Sequence, residues 1–139
     1  MAKVNWKGST LLGPVPPTMV SCGTVEEPNV LCVAWTGIVN SQPPMTYVSI
    51  RPSRHSYGLI KESGEFVINL TPSRLVRAAD YVGVRSGRDE NKFEKMHLTA
   101  LPCTHVSAPQ IAECPVSLEC KVKTVTPLGS HDMFLAEIV

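Results

Sequence analysis

The chain has 139 residues, 43% hydrophobic and 18% charged, which suits one domain with a real core and argues against disorder. Thirteen basic and twelve acidic side chains leave a net charge of +1, so neither a nucleic acid nor an anionic membrane surface is expected as a partner. No run of eighteen apolar residues is present, and the opening MAKVNWKGS lacks the apolar stretch of a signal peptide, so a cytoplasmic location is expected.

Twelve prolines and nine glycines cut the chain into short pieces, which favours strands over long helices. After an extended lead-in, residues 18–25 (TMVSCGTV) read as a strand and residues 26–29 as a turn. Residues 30–39 (VLCVAWTGIV) are apolar almost throughout, as expected of one strand covered on both faces. Asn40 to Pro44 break that pattern, and residues 45–51 resume as a strand closed by Pro52. A short helix is predicted over residues 54–63, with Ser53 as its N-cap. EFVINL (65–70) is another strand. Leu75, Val76, Ala79 and Val82 then fall at helical spacing up to Gly83.

Ser86 to Asp89 can cap a third, shorter helix carrying Lys92, Phe93 and Met96. A proline-punctuated connection follows, with a brief edge strand expected at 110–112. Val116, Leu118, Cys120 and Val122 alternate with polar residues as in a half-buried antiparallel strand. Pro127 to Ser130 turn the chain, and residues 131–139 return as its partner. About six strands with two or three inserted helices imply a mainly β fold, a closed or partly closed antiparallel barrel in one domain over residues 1–139. The last of these strands is still apolar at Val139, and the chain is expected to lack a C-terminal portion.

Five cysteines form an odd set without a C-x-x-C pair, which argues against a disulfide framework and against metal ligation. Cys32 and Cys120 lie in apolar patterns where a thiol behaves as a small core hydrophobe.

No nucleophile elbow, Walker loop, H-E-x-x-H or G-x-G-x-x-G is present. The stretch around SIRPSRHSYG stands out instead. With Ser53 as cap, Ser56 would occupy the third helical position, and two hydroxyls, Arg54 and free first-turn N–H groups would converge on one spot suited to a phosphate. Asn29, Trp35-Thr36-Gly37, Ser86 to Lys92 and Gly129-Ser130-His131 complete a dispersed set. Taken singly each has an ordinary explanation: Trp35 as core, Lys92 and Arg54 as solvated cations, His131 as a turn residue.

Together, the runs NVLCVAWTGIVNSQPP, SIRPSRHSYGLIKESGEFVINL, SGRDENKFEKM and LGSHDMFLAEIV resemble the flavin reductase-like, FMN-binding split-barrel family, particularly the flavoredoxins. The resemblance implies a Greek-key split β-barrel that forms a homodimer, with FMN held noncovalently near the interface. It implies flavin contacts at Asn29, Trp35 and Thr36, with Trp35 beside the isoalloxazine ring. Ser49, Arg51, Ser53, Arg54 and Ser56 would hold the phosphate and ribityl chain, and Lys92 would add a second cation. His131 would serve the flavin and nicotinamide region, and is the one catalytic candidate; Ser130 stands where the family carries aspartate.

Three functions follow as expectations. The first is an NAD(P)H-dependent flavin reductase passing hydride from nicotinamide to bound flavin. The second is a flavoredoxin-type electron carrier that serves a redox protein partner. The third is a flavin-binding module without turnover. Hydride chemistry belongs to the cofactor, so the lack of a protein acid–base pair is compatible with enzymatic activity.

Overall fold

The structure, a computed structural model, describes residues 2–139. In chain order its elements are β1 (Thr18–Gly23), β2 (Pro28–Val33), β3 (Thr36–Ser41), β4 (Pro44–Ile50), α1 (His55–Ser63), β5 (Glu65–Leu70), α2 (Val76–Val84), α3 (Lys92–Lys95), β6 (Ala100–Leu101), β7 (Gln110–Ile111), β8 (Ser117–Pro127) and β9 (Asp132–Ile138). Seven strands form one antiparallel sheet in the order β2-β1-β5-β8-β9-β4-β3, and β6 pairs with β7 as a separate ribbon.

The chain connectivity dictates the curvature of this sheet. Its two edge strands, β2 and β3, are consecutive and joined only by Ala34 and Trp35. Six inter-strand spacings would separate the edges of a flat sheet by roughly 29 Å. The link from Val33 to Thr36 reaches at most about 11 Å. The sheet therefore curls until its edges approach, leaving a seam between β2 and β4 that no ladder closes. The fold is a mainly β split barrel with a few short helices, as the sequence predicts.

Burial follows from the curl. Val20, Leu31, Val48, Phe66, Ile68 and Phe134 point into the barrel, where Ile60 from α1 completes the core. On the outer face Met19 and Val30 pack against Ala78, Ala79 and Val82 of α2 and Phe93 of α3. Strands β1 and β5, covered on both sides, are apolar or internally hydrogen-bonded throughout most of their length. In β4 and β9 period-two alternation puts Thr46, Val48, Ile50, Asp132, Phe134 and Ala136 inward. The buried Asp132 carboxylate accepts the Tyr57 hydroxyl at 2.7 Å, tying α1 to β9.

One buried polar residue joins four strands. The Asn69 amide donates to the Met19 carbonyl at 3.0 Å and to Ser21 Oγ at 2.9 Å. Its oxygen accepts the Ile111 N–H at 2.9 Å and the Ser117 hydroxyl at 2.8 Å. An amide able to satisfy donors and acceptors at once suits a position with no access to water.

Several expectations are corrected. The single strand predicted over 30–39 is interrupted at Ala34–Trp35, and its second half, β3, is an uncovered edge where Ile38 is 68% exposed. A 3-10 turn at Ser73–Leu75 precedes α2 and rotates its buried face, so Val76 is exposed and Ala78 is buried instead. Gly83 stays inside α2, where a Cβ would meet Cys32 Cβ at 3.0 Å; the helix packs hard on β2 there. Helix α3 is capped by Asn91, whose side chain accepts the Phe93 and Glu94 N–H groups, and not by the Ser86–Asp89 turn. Helix α1 has Arg54 as its cap residue, still extended at φ −72° and ψ 139°, so Ser53 lies outside the helix and makes no cap bond.

Candidate functional site

Two adjoining hollows lie along the seam and the loops above it. The first, about 270 Å³, is walled by the link between β4 and α1 and by the link between α2 and α3. The former supplies Arg51, Ser53, Arg54 and His55; the latter supplies Arg85 to Arg88 and Lys92. The second, about 200 Å³, lies in the split between β2 and β4, with Trp35, Ser49 and His131 in its wall beside Leu31 and Val33. Leu31, Arg51 and Arg54 line both hollows, so the two form one cleft with a cationic end and an aromatic end.

The cationic end is held together by its own hydrogen bonds. Arg88 Nη1 donates to the Ser53 carbonyl at 3.0 Å, latching one loop to the other. Lys92 is only 4% exposed, and its ammonium donates to the Val82 and Arg85 carbonyls at 3.1 and 3.3 Å, where α2 ends. Burial, reinforced by the Arg54 charge, lowers the Lys92 pKa from 10.5 to about 8. Partial burial and the charges of Arg88 and Lys92 hold His55 below its ordinary value. The hollow is strongly electropositive before any ligand enters.

At the aromatic end the Trp35 indole is 42% exposed, and the His131 ring stands 4.5 Å from it at 45°. Ser130 Oγ lies 2.9 Å from His131 Nδ1. Burial and the nearby Arg51 and Arg54 lower the His131 pKa, favouring the neutral ring. This end offers a flat apolar wall with a polar rim.

The ten candidate residues therefore separate by place. Arg51, Ser53, Arg54 and Lys92 meet at the first hollow, and Trp35, Ser49 and His131 at the second. Asn29 and Ser56 stand behind the wall, the Asn29 amide donating to Ser56 Oγ at 2.7 Å. Ser56 is buried in the first turn of α1, so its hydroxyl faces inward and not towards the spot expected from a Ser53 cap. The Thr36 hydroxyl donates to the Tyr47 carbonyl at 2.6 Å and lines neither hollow. Gly87 closes the wall: a Cβ there would collide with the Asn29 amide oxygen and come within 2.9 Å of the His55 ring.

Three charged or titratable groups lining the first hollow, His55, Arg85 and Arg88, are not among those ten residues. His55 sits between Ser53 and Ser56, inside the stretch already suspected, and Arg88 lies in the S-G-R-D run before Lys92. Their role depends on two loops meeting, which local sequence does not reveal. Among the described residues, no three His, Cys, Asp or Glu side chains are grouped to hold a metal ion, and no helix is long and apolar enough to cross a membrane.

Comparison with known proteins gives a consistent result. The family described as flavin reductase like domain matches residues 13–139. An uncharacterized protein of Archaeoglobus fulgidus is 38% identical over 115 residues, covering 83% of this chain and 65% of its own length. An NADPH-flavin oxidoreductase of Streptomyces viridifaciens is 27% identical over 128 residues, covering 88% of this chain and 65% of its own. The solved flavoredoxin of Desulfovibrio vulgaris superposes with a TM-score of 0.91 at 37% identity, covering 99% of this chain and 74% of that one.

Proposed function

Because the chain belongs to the flavin reductase-like family, we propose that it binds FMN noncovalently in the paired hollows and acts as an NAD(P)H-dependent flavin reductase. One observation carries this reading: a cationic hollow runs into an aromatic one, with Arg51 and Arg54 common to both. That order matches a molecule with a dianionic phosphate at one end and a large flat ring at the other. Bound FMN supplies hydride acceptance and onward electron transfer.

The chain's own residues bind and orient. Arg54, Arg51, Lys92 and the Ser53 hydroxyl neutralise and hydrogen-bond the phosphate. Ser49 serves the ribityl chain. Trp35 supplies stacking area, and His131, neutral and steadied through Nδ1 by Ser130, presents its other nitrogen at the ring end. Asn29 and Ser56 act indirectly, by fixing the wall that carries His55 and Gly87. Thr36 contributes through the β3–β4 ladder that sets Trp35 in place.

A homodimer is part of the proposal. Ile38 and Val39 are exposed on the edge strand β3, three and four residues beyond Trp35, and a second copy packed over that face would bury well over the ~1,000 Å² expected of a stable interface. A monomer mass by light scattering at micromolar concentration would refute it.

The likeness to a flavoredoxin at 37% identity favours a second reading, an electron carrier that holds FMN and exchanges electrons with a redox protein. Anaerobic titration of the FMN-loaded protein separates the two. Bleaching of the flavin absorbance by NADH or NADPH supports the reductase; flavin inert to both nucleotides but reduced by dithionite supports the carrier. A protein that takes up no added FMN refutes both.

A further inference from the structure

We infer that Arg85 and Arg88 form a separate anion-binding lobe of the cationic hollow, one that takes the phosphates of a nicotinamide dinucleotide and not that of the flavin. The inference rests on the FMN reading above and assigns the second ligand of the same cleft.

The two sets of arginines are placed differently. Arg51 and Arg54 line both hollows, so they lie where a ring in the second and a phosphate in the first must be joined. Arg85 and Arg88 line only the first, on the opposite wall, carried by the link between α2 and α3. Charge counting gives the same division. Arg51, Arg54, Arg85, Arg88 and Lys92 bring five positive charges to the first hollow. A phosphomonoester carries about −2 and the Glu90 carboxylate near Lys92 adds one negative charge, which leaves about two positive charges uncompensated. Burial is the main cause of the depressed pKa values of His55 and Lys92, and the neighbouring cations add to it.

The chemistry of the ligands explains what the surplus could serve. In FMN a five-carbon ribityl chain separates the ring from the phosphate; in a nicotinamide nucleotide a five-carbon ribose separates the ring from the pyrophosphate. A nicotinamide laid against the flavin face with its ribose alongside the ribityl chain brings its first phosphate towards the same end of the cleft. Arg88 is prepared for it. One guanidinium nitrogen is fixed on the Ser53 carbonyl at 3.0 Å while the fork's other donors stay at the exposed rim. Arg85 is steadied over the Tyr81 ring at 5.8 Å. The sequence offers no G-x-G-x-x-G elsewhere for a dinucleotide.

The test is calorimetric binding of NADP+ and NAD+ to FMN-loaded wild type, Arg85→Gln and Arg88→Gln, with FMN affinity measured separately by flavin fluorescence. Losing one charge-assisted hydrogen bond should weaken nucleotide binding roughly ten- to a hundred-fold in both variants, while FMN affinity shifts less than about threefold in Arg85→Gln, which leaves the Arg88–Ser53 latch intact. Arg88→Lys should recover part of the loss, because the charge remains and the fork does not. Equal losses for NAD+ and NADP+ would assign the lobe to the pyrophosphate; a loss confined to NADP+ would assign it to the 2′-phosphate. FMN weakened as much as the dinucleotide in Arg85→Gln would put the lobe in the flavin phosphate site and overturn the inference. Unchanged nucleotide binding in both variants would overturn it too. Failure of the wild type to take up FMN at all would refute the flavin reading itself, and this inference with it.

Discussion

Lys92→Met should separate binding from stability, because the native ammonium is costly to bury. The fall of its pKa from 10.5 to about 8 corresponds to roughly 3 kcal/mol set against the charged form at neutral pH. Methionine keeps the length and apolar stem, removes that penalty, and forfeits the bonds to the Val82 and Arg85 carbonyls. Those bonds are worth a similar amount, so the net change in unfolding free energy should stay within about 1.5 kcal/mol. FMN affinity should fall ten- to a hundred-fold while riboflavin, which has no phosphate, binds as before. The pH dependence has a definite sign. A lysine whose folded pKa lies below its unfolded value imposes its full cost below about pH 8, and the cost is relieved as pH rises towards 10.5. Wild type should therefore gain stability relative to Lys92→Met above pH 8, and its FMN affinity should weaken there as the ammonium loses its proton. Urea unfolding and paired fluorescence titrations measure both. Equal loss of FMN and riboflavin, or destabilisation beyond about 3 kcal/mol, would make Lys92 a structural tether and refute the reasoning.

Trp35→Ala should weaken FMN by roughly 1–3 kcal/mol, by analogy with base stacking on aromatics, and leave thermal stability nearly unchanged because the indole is half exposed; a large drop in the unfolding temperature would place Trp35 in the core. Asn69→Leu should cost roughly 3 kcal/mol in urea unfolding, since the buried Ile111 N–H and Met19 carbonyl lose their amide partner. Burial opposes ionisation of Glu119, but N–H bonds from Thr104 and His105 win and hold its carboxyl below the ordinary range. Its contribution is complete above the unfolded pKa and is lost as pH falls through the folded one, so wild type but not Glu119→Gln should show hydrogen exchange at Thr104 and His105 rising on that acid side. Arg54→Ala should weaken FMN ten- to a hundred-fold and riboflavin little, a difference that added salt should narrow.

Periodicity and turn chemistry made most of the sheet legible. The alternation through Leu118 and Cys120 and the proline–glycine turn before His131 correspond to β8 and β9. Burial on both faces was readable in apolar runs but not its location. Both strands are edges, yet Val30 and Leu31 are covered and Ile38 is not, because α2 and α3 pack on the outer face of β2 and the barrel core on its inner face, while Ile38 on β3 is left exposed. The start of α1 was misplaced by one residue, since Ser53 is a good cap by chemistry and only the extended backbone of Arg54 shows where the helix begins. With that start, Ser56 is buried in the first turn of α1 and accepts from the Asn29 amide at 2.7 Å. Arg51 to Arg54 are neighbours in the chain and could be grouped from the sequence, whereas Trp35 and His131, which meet in the second hollow, are brought together only by the family resemblance. Arg88 and His55 belong to the site only because two loops fold against each other, which periodicity cannot express.

Because β2 passes directly into β3 and has no ladder partner on its outer side, the barrel is held shut at Ala34–Trp35 by covalent continuity, side-chain packing and one backbone bond, the Ser49 N–H donating to the Trp35 carbonyl at 3.0 Å. Widening that seam breaks no row of strand–strand bonds, which makes it an inexpensive way for the sheet to breathe. The cleft lies in the seam, with Leu31 and Val33 on one bank and Ser49 and Ile50 on the other. A ring lodged there touches both banks and bridges them where a ladder would have run. Ligand uptake and barrel closure are then one thermodynamic event. Under the proposed FMN reading, the seam should be stiffer with the ligand bound than without it.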